Sequence, residues 1–189
     1  MKAVAVGEGM PEDDAALALA ARADAAAFDV LYRRHYDRVY RYVRASLGHD
    51  EDAADVAQQV FIQAWRSLGR FEGRSSFATW LFRIAHNAVV DALRVRRAVL
   101  SLERLPTDEH PADASGPEEQ TIRREDADRL SRALGRLDAE KRALLMLRFA
   151  GQLSVAEIAV VVGKRPDAVK KRLTRTLRFL KEHADVPRP

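Results

Sequence analysis

Apolar residues recur every three to four positions over most of the chain, which is the spacing of an amphipathic α-helix. In the first half this pattern predicts three helices, over residues 25–47, 50–68 and 77–97, separated by glycine-containing segments. In the second half it predicts helices over 121–137 and 138–149. No segment alternates apolar and polar residues as a half-buried strand does, so the sequence predicts an all-α fold.

The segment Leu153–Lys181 predicts two further helices joined by a turn of about three residues. Ser154 and Glu157 form the S-x-x-E pattern of a capping box at the start of the first of these helices. Gly163 follows the last apolar residue, where a left-handed backbone is easiest, and Pro166 suits the first turn of the next helix. Together these signals predict a helix-turn-helix, a motif typical of proteins that read duplex DNA.

The second helix of this motif has two distinct faces when its residues are projected at about 100° per residue. The apolar face is expected to point inward and comprises Val169, Leu173, Thr176, Leu177 and Leu180. The opposite face comprises Asp167, Ala168, Lys171, Thr174, Arg175 and Arg178. A recognition helix presents such a face to base edges and phosphates in the major groove. A helix whose charges only keep it solvated is the open alternative.

Proline, glycine and acidic residues interrupt the helical pattern in SLERLPTDEHPADASGPEEQ and indicate a flexible, moderately extended linker. The alanine-rich, acidic start of the chain predicts a loose tail with room for a helical turn at its end. We therefore expect two small helical domains joined by a flexible linker. The divisions are an N-terminal tail 1–24, a first domain 25–98, a linker 99–120, a helix-turn-helix domain 121–183 and a C-terminal tail 184–189.

The net charge of +4 conceals a strong segregation of charge along the chain. Residues 1–27, 28–98, 99–126 and 127–189 have net charges of −3, +4, −5 and +8. Two basic blocks are thus separated by an acidic stretch. This arrangement suggests two modules that face nucleic acid and a linker that avoids phosphates.

Composition also excludes several classes of protein. The chain has 0 cysteines, which excludes disulfides, thiolate catalysis and cysteine-ligated zinc. Its 5 histidines show no metal-ligand spacing and its acids form no recognisable catalytic pair, so we expect no catalytic residue, no metal and no cofactor. No apolar run approaches the roughly 18 residues of a membrane span and no signal peptide is visible, so a soluble cytoplasmic protein without membrane insertion is expected.

The first domain has polar features that a reader of duplex DNA does not require. The helix dipole explains acids at the very start of its second helix, but Asp55 and Gln58 lie further in and off the apolar stripe, as in a protein-binding face. Cations and aromatic residues stand together in the next loop and helix: Arg70, Phe71, Arg74, Phe77, Trp80 and Arg83. That combination is typical of single-stranded DNA binding. Phe77 and Trp80 lie on the apolar stripe and are expected in the core, whereas Phe71 is expected to be exposed.

Two blocks of the sequence resemble the sigma-70 family of bacterial RNA polymerase sigma factors. The block DEDAADVAQQVFIQAWRSLGRFEGRSSFATWLFRIAHNAVVDALRVRR is similar to region 2 of that family. The block LSRALGRLDAEKRALLMLRFAGQLSVAEIAVVVGKRPDAVKKRLTRTLRFL is similar to region 4. Their order, with a short linker in place of a third region, resembles the extracytoplasmic function group, and the resemblance covers residues 28–183.

The resemblance implies a dissociable subunit that directs core RNA polymerase to promoters and assists strand opening, with no catalysis of its own. It implies docking on the clamp helices of the largest polymerase subunit and on the flap of the second-largest subunit. The residues that would dock on the clamp helices are Asp52, Asp55, Gln58 and Gln59. Those that would hold the single-stranded minus-ten element are Phe71, Arg74, Ser75, Ser76, Arg83, His86, Asn87 and Arg94.

By the same resemblance, the second domain would read the minus-thirty-five element as duplex DNA. The residues implied are Lys164, Arg165, Asp167, Ala168, Lys171, Arg172, Arg175 and Arg178. Arg165 and Ala168 stand where family members often have serine and threonine, so we expect an altered promoter preference rather than a lost activity. Gln59 stands where an acid is frequent in the docking helix.

Two further expectations concern partners. The resemblance suggests an anti-sigma factor that holds the two domains together, and the composition of the linker permits it. The alternative function is a stand-alone helix-turn-helix repressor or activator whose first domain dimerises or senses a ligand. A repressor would bind a palindromic operator by itself. A sigma factor is expected to direct transcription only together with core polymerase.

Overall fold

The computed structural model describes residues 13–48, 51–103, 130 and 132–183. Within those residues every regular element is helical, which confirms the predicted all-α fold. No helix among them is both long and apolar enough to cross a membrane. The chain divides into two compact units, residues 1–98 and residues 99–189.

The described part of the first unit is built from α1 (Asp14–Ala20), α2 (Ala25–Leu47), α3 (Glu51–Ser67), a 3-10 turn (Leu68–Arg70) and all but the last five residues of α4 (Phe77–Glu103). Local sequence sets both ends of α2. The Asp24 carboxylate accepts a hydrogen bond from the Ala26 amide at 2.9 Å, which satisfies one of the free amides of the first turn. Gly48 follows the helix in the left-handed conformation, at φ 85°, where glycine has little steric cost.

The core of the first unit lies where α2 packs against α3 and α4. Val39 of α2 is fully buried. The Tyr32 ring meets Phe61 of α3 edge-on, with 4.8 Å between ring centroids. The Tyr42 ring meets Phe82 of α4 in the same way at 5.6 Å. Such edge-to-face pairs contribute about 0.5–1.5 kcal/mol beyond their buried area, so they fix the angles between the helices as well as burying surface.

Residues 71–76, here called the connecting loop, join the 3-10 turn to α4. Gly73 at the tip of the connecting loop has a φ of 70°, which allows a sharp change of direction. At its end the Ser76 hydroxyl accepts a hydrogen bond from the Thr79 amide at 3.1 Å, as the N-cap of a helix does. The start of α4 is therefore set by a local bond.

Helix α1 differs from the loose tail expected for residues 1–24. Leu17 and Ala18 are fully buried, because α1 packs against α2. Composition suggested disorder because the segment is rich in alanine and acids, but the stability of α1 comes from its partner helix, which composition does not reveal. Residues 1–12 lie outside the described residues.

Three other details differ from expectation. Helix α4 continues to Glu103, into the segment 99–120 that was expected to be linker. Trp65 lies on the apolar stripe of its helix, a position that predicts burial, but its side chain is 43% exposed and contacts Phe28 edge-on at 4.9 Å. Leu177 is 42% exposed. Trp65 and Leu177 are each the outermost residue on the apolar arc of their helix, so one side of the side chain faces the core and the other faces solvent.

In the second unit, residues 132–135 are helical and three helices follow: α5 (Ala139–Phe149), α6 (Val155–Val162) and α7 (Pro166–His183). The Asp138 carboxylate caps α5 by accepting a hydrogen bond from the Lys141 amide at 2.8 Å. All three helices contact one another around a common core. The core includes Leu144, Leu147, Leu153, Ile158, Val169 and Leu173. Residues 104–129 and 184–189, which include most of the expected linker and the C-terminal tail, lie outside the described residues.

Replacing Leu17 by alanine is expected to lower the free energy of unfolding of the first unit by about 2–4 kcal/mol, because it leaves a cavity beneath α1. Leu19→Ala is the matched control, since Leu19 is on the same helix and 54% exposed, and it should change stability by about 0.5 kcal/mol or less. Both tryptophans, Trp65 and Trp80, belong to the first unit, so urea unfolding followed by tryptophan fluorescence reports on this unit. Equal losses in the two variants would contradict the packing of α1.

Candidate nucleic-acid interface

The predicted helix-turn-helix is formed by α6 and α7. The Glu157 amide donates to the Ser154 hydroxyl oxygen at 3.2 Å, and the Ser154 amide donates to the Glu157 carboxylate at 2.8 Å, which is the predicted capping box. Gly163 ends α6 in the left-handed conformation at φ 65°, and Pro166 begins α7. Local bonds and backbone preference thus set the direction in which α7 leaves the turn.

Helix α7 buries one face and exposes the other, as its sequence predicts. Val169, Leu173 and Thr176 are buried. The side chains of the opposite face are all exposed: Asp167, Ala168, Lys171, Thr174, Arg175 and Arg178. Arg165, in the turn before α7, is exposed as well. This surface is exposed and mainly cationic, as is a helix face that enters a major groove.

Two cations of the expected duplex-binding set are paired with a carboxylate of the same unit. Lys164 and Arg172 both form ion pairs with Glu140 of α5. The hydrogen bond from Lys164 is the main cause that lowers the pKa of the Glu140 carboxyl, and the charge of Arg172 adds to it. Glu140 therefore joins α5 to the turn and to α7. Sequence reasoning missed Glu140, because 24 residues separate it from Lys164 and no local pattern reports such a pairing.

The residues expected to dock on polymerase share one exposed side of α3. Asp52, Asp55, Gln58 and Gln59 are all exposed. The opposite side of the helix is buried and includes Ala53, Ala57, Val60 and Phe61. The exposed side thus presents carboxylates and amides on a rigid helix, which suits a partner surface of cations and hydrogen-bond donors.

The polar residues of the connecting loop differ in how free they are. Arg74 is exposed and pairs with the neighbouring carboxylate of Glu72. Ser75 is half-buried, and its hydroxyl donates to the Ser76 carbonyl at 3.3 Å. Ser76 caps α4, so a contact of its hydroxyl with DNA would compete with the helix cap. Arg74 is consequently the residue of this loop best placed to reach a nucleic acid.

Phe71 does not have the exposure that the sequence suggested. Its side chain is only 1% exposed, and its ring lies 5.8 Å from the Phe77 ring and 5.5 Å from the Trp80 ring. The reason is that the connecting loop starts and ends against the core, so its first residue packs inward even though it is not part of a helix. Phe71 is a core residue in this conformation and presents no face to a base.

Arg83, Asn87 and Arg94 form an exposed stripe on α4, because their spacings of four and seven residues return to the same side of a helix. Val90, which is 48% exposed, lies on the same stripe. Sequence reasoning did not include Val90, although the helical spacing could have identified it. Arg94 pairs with Asp91 at 3.1 Å on the solvent side. The stripe combines cations, an amide and an apolar side chain, which together can contact phosphates and bases.

His86 is placed differently from this stripe. It is half-buried, and its Nδ1 lies 3.1 Å from the hydroxyl of Tyr42, a fully buried residue. Burial lowers the pKa of His86 and raises the pKa of Tyr42, so near neutral pH the tyrosine donates and the neutral imidazole accepts. His86 therefore supports the packing of α4 on α2 and carries no positive charge at that pH.

The outward faces of the two units carry different chemistry. Helix α7 is cationic, the α4 stripe mixes cations with an amide, and the exposed side of α3 is acidic and rich in amides. Cationic faces suit phosphate backbones, whereas the α3 face suits a protein surface of opposite charge. The part of the chain that the structure describes contains no group of three or more histidine, aspartate or glutamate side chains able to hold a metal ion.

Two family models match the chain. Residues 31–99 match the model described as Sigma-70 region 2, and residues 127–180 match the model described as Sigma-70, region 4. The first match includes α3, the connecting loop and the exposed stripe of α4. The second includes the helix-turn-helix. The two matches therefore contain every face described above.

The chain is similar to several sigma factors. It is 32% identical over 169 residues to the RNA polymerase sigma factor NccH of Alcaligenes xylosoxydans xylosoxydans, covering 87% of this chain and 91% of NccH. It is 34% identical over 156 residues to the ECF RNA polymerase sigma factor SigM of Mycobacterium tuberculosis, and the match covers 80% of this chain and 74% of SigM. The RNA polymerase sigma factor CnrH of Cupriavidus metallidurans is 33% identical over 176 residues, and the match covers 88% of this chain and 92% of CnrH. A solved structure of CnrH in complex with the cytosolic domain of CnrY matches with a TM-score of 0.67 at 28% identity, covering 91% of this chain and 97% of that one.

The stability of the first unit is expected to fall as the pH is lowered from 7.5 to 5.5. Burial is the main cause that lowers the pKa of both His35 and His86 from the ordinary value of 6.5, although Asp14 opposes it at His35. The unfolded chain therefore binds protons more readily than the folded unit. The free energy of unfolding falls once the pH drops below about 6.5. Urea unfolding followed by tryptophan fluorescence measures this trend.

Asp138 and Glu140 have lowered carboxyl pKa values, but they belong to the second unit and titrate at lower pH. They do not affect this measurement. His86→Gln should reduce the slope of stability against pH. A stability that is flat or that rises as the pH falls would contradict the assignment of neutral imidazoles to His35 and His86.

Proposed function

The chain belongs to the sigma-70 family, in the extracytoplasmic function group of RNA polymerase sigma factors, and from that premise we propose how its two units divide promoter recognition. The first unit docks on core polymerase and captures the opened minus-ten strand, and the second unit grips the duplex minus-thirty-five element. The observation that carries this proposal is that each unit fills its core with one side of its helices and leaves a charged or amide-bearing side exposed. Sigma factors are in general initiation factors without enzymatic activity, and we assign all catalysis to the polymerase.

The second unit binds duplex DNA through the outward face of α7. Lys171, Arg175 and Arg178 are exposed on one side of that helix and can reach phosphates or guanine edges in a major groove. Arg165 approaches the same groove from the turn. Lys164 and Arg172 contribute mainly by holding the helix to Glu140, and they reach phosphates only if that pairing opens.

The first unit binds single-stranded DNA through the α4 stripe and the connecting loop. Arg83, Asn87 and Arg94 follow the strand along the helix, and Arg74 contacts it from the loop. Capture of unstacked bases by these side chains drives strand opening. Phe71 contributes without touching the DNA, because its buried ring holds the connecting loop in place.

The exposed side of α3 is the docking surface for the clamp helices of the largest polymerase subunit. Its carboxylates and amides lie on a helix whose other side is buried, so they are presented without rearrangement. Contact of the second unit with the flap of the second-largest subunit completes the holoenzyme. Because it would bind RNA polymerase, we propose that the protein acts in the cytoplasm.

A protein partner that covers these faces would keep the sigma factor inactive. The similar protein CnrH has been solved in complex with the cytosolic domain of CnrY. By similarity to CnrH, we assign this chain an anti-sigma partner that competes with polymerase and DNA. Purification from uninduced cells should recover such a partner with the chain.

Run-off transcription with purified core polymerase on genomic fragments tests the proposed function. Discrete transcripts are expected only when both core polymerase and this chain are present. Binding of the isolated chain to a palindromic operator, without transcripts from the reconstituted mixture, would contradict the proposal and support a stand-alone repressor. No feature of the described surfaces favours that second function.

Asp55→Arg is expected to weaken association with core polymerase at least tenfold, which corresponds to about 1.4 kcal/mol, because it reverses a charge on the docking surface. Asp37→Arg is the matched control, since Asp37 is an exposed acid on α2 outside that surface. Fluorescence anisotropy of the labelled chain titrated with core polymerase measures both. Equal losses would show that the net charge of the unit matters rather than this surface.

Arg175→Ala is expected to weaken binding of holoenzyme to upstream duplex by about 1–3 kcal/mol if the guanidinium contacts a guanine, with relaxed preference at one base pair. Arg33→Ala is the control, because Arg33 is an exposed arginine of the first unit that pairs with Asp29. Competition binding with single-base promoter variants measures the preference. A uniform loss across all variants would make Arg175 a phosphate contact.

A further inference from the structure

We propose that residues 13–22, here called the N-terminal strap, hold the connecting loop in position and thereby set the selectivity of the first unit for single-stranded DNA. The strap comprises α1 and the turn that follows it. The family model for region 2 begins its match at residue 31, so the strap lies outside it. The inference rests on the proposed function of the connecting loop in binding the minus-ten strand.

The strap is anchored to α2 by both apolar and polar contacts. Leu17 and Ala18 are fully buried. The Asp14 carboxylate lies 2.7 Å from His35 Nε2 through one oxygen and accepts a hydrogen bond from Arg34 at 2.9 Å through the other. His35 is 4% exposed, so this bond lies at the edge of the core. A segment held in this way has a defined position relative to α2.

The C-terminal end of the strap reaches the first residue of the connecting loop. Arg22 Nη2 donates a hydrogen bond to the carbonyl of Phe71, in a partly buried site that joins residues 49 positions apart. The Phe71 amide donates to the Leu68 carbonyl at 3.0 Å. Both backbone polar groups of Phe71 are therefore bonded, and its ring is buried. Arg22 is the bond in this set that comes from outside the loop and its preceding turn.

The strap also bears on the other end of the connecting loop. The His35 ring, which binds Asp14, lies 5.4 Å from the ring of Phe77, the first residue of α4. Phe77 in turn contacts Phe71. Two points of the strap, Arg22 and Asp14, thus act on the two ends of a short loop whose tip turns at Gly73.

Fixing both ends of this loop determines where its tip can lie. Arg74 follows directly after Gly73 and is exposed, so its reach toward a DNA strand depends on the positions of Phe71 and Phe77. Loss of the Arg22 bond would leave the ring of Phe71 packed but free its backbone to shift. Arg22 is accordingly a positioning residue, which acts on DNA through the loop.

The test compares Arg22→Ala with wild type and with the control Arg33→Ala, in holoenzyme reconstituted with core polymerase. Run-off transcription identifies a promoter whose non-template minus-ten sequence is used as the cognate single-stranded probe. A scrambled version of the same sequence is the second probe, and both are labelled. We expect Arg22→Ala to reduce the ratio of affinities for the two probes at least fivefold. Binding to core polymerase and to upstream duplex should stay within twofold of wild type. Arg33→Ala should keep the wild-type ratio.

The ratio separates positioning from other roles of Arg22. A variant that only lowers the folded fraction reduces both affinities equally, and so does loss of a direct phosphate contact. An unchanged ratio in Arg22→Ala therefore overturns the inference. Asp14→Asn, which acts on the Phe77 end, should also reduce the ratio. If wild-type holoenzyme itself fails to discriminate between the probes, the proposed minus-ten function fails, and the inference falls with it.

Discussion

The aromatic cluster formed by the buried Phe71 and Phe77 and the half-buried Trp80, with His35 against it, is the constraint on which the first unit depends. Each aromatic ring that leaves water contributes about 1.5–3 kcal/mol, so the two ends of the connecting loop are held to the core. The polar residues between them are thereby forced outward. The same packing orients α4 and with it the exposed stripe of that helix. Affinity for an opened strand requires that such groups be in place before the strand arrives, because ordering them afterwards would cost binding energy.

The second unit follows the same logic with ionic contacts in place of aromatic ones. Its three helices bury their apolar sides together. Because the apolar side of α7 lies in that core, its cationic side faces solvent. Glu140 then divides those cations into two groups. Lys164 and Arg172 are paired with it and help to hold the helix, whereas Lys171 and Arg175 face outward. Such exposed ion pairs stabilise the unit only weakly, so their larger effect is on which cations are available to phosphates.

The sequence predicted the features that depend on neighbours in the chain. The helical periods, the capping box of Ser154 and Glu157 and the left-handed Gly163 each follow from residues a few positions apart. The errors involve partners far away in sequence. Phe71 is buried by residues of α4, and α1 is stable only against α2. Glu140 was missed because its partners lie in another helix and a turn. Exposure at the edge of an apolar arc, as for Trp65, depends on how far the neighbouring helices cover that edge. A single sequence does not show this.

We propose that one unit opens and holds a strand while the other grips duplex upstream, and that both need polymerase. Paired hydroxyl-radical and permanganate footprinting of reconstituted holoenzyme on a supercoiled promoter tests it directly. We expect protected duplex near minus thirty-five together with reactive thymines near minus ten. Alanine at both Arg83 and Asn87 should remove the thymine reactivity and leave the upstream protection in place. Upstream protection by the chain alone, without polymerase and without any reactive thymine, would contradict it.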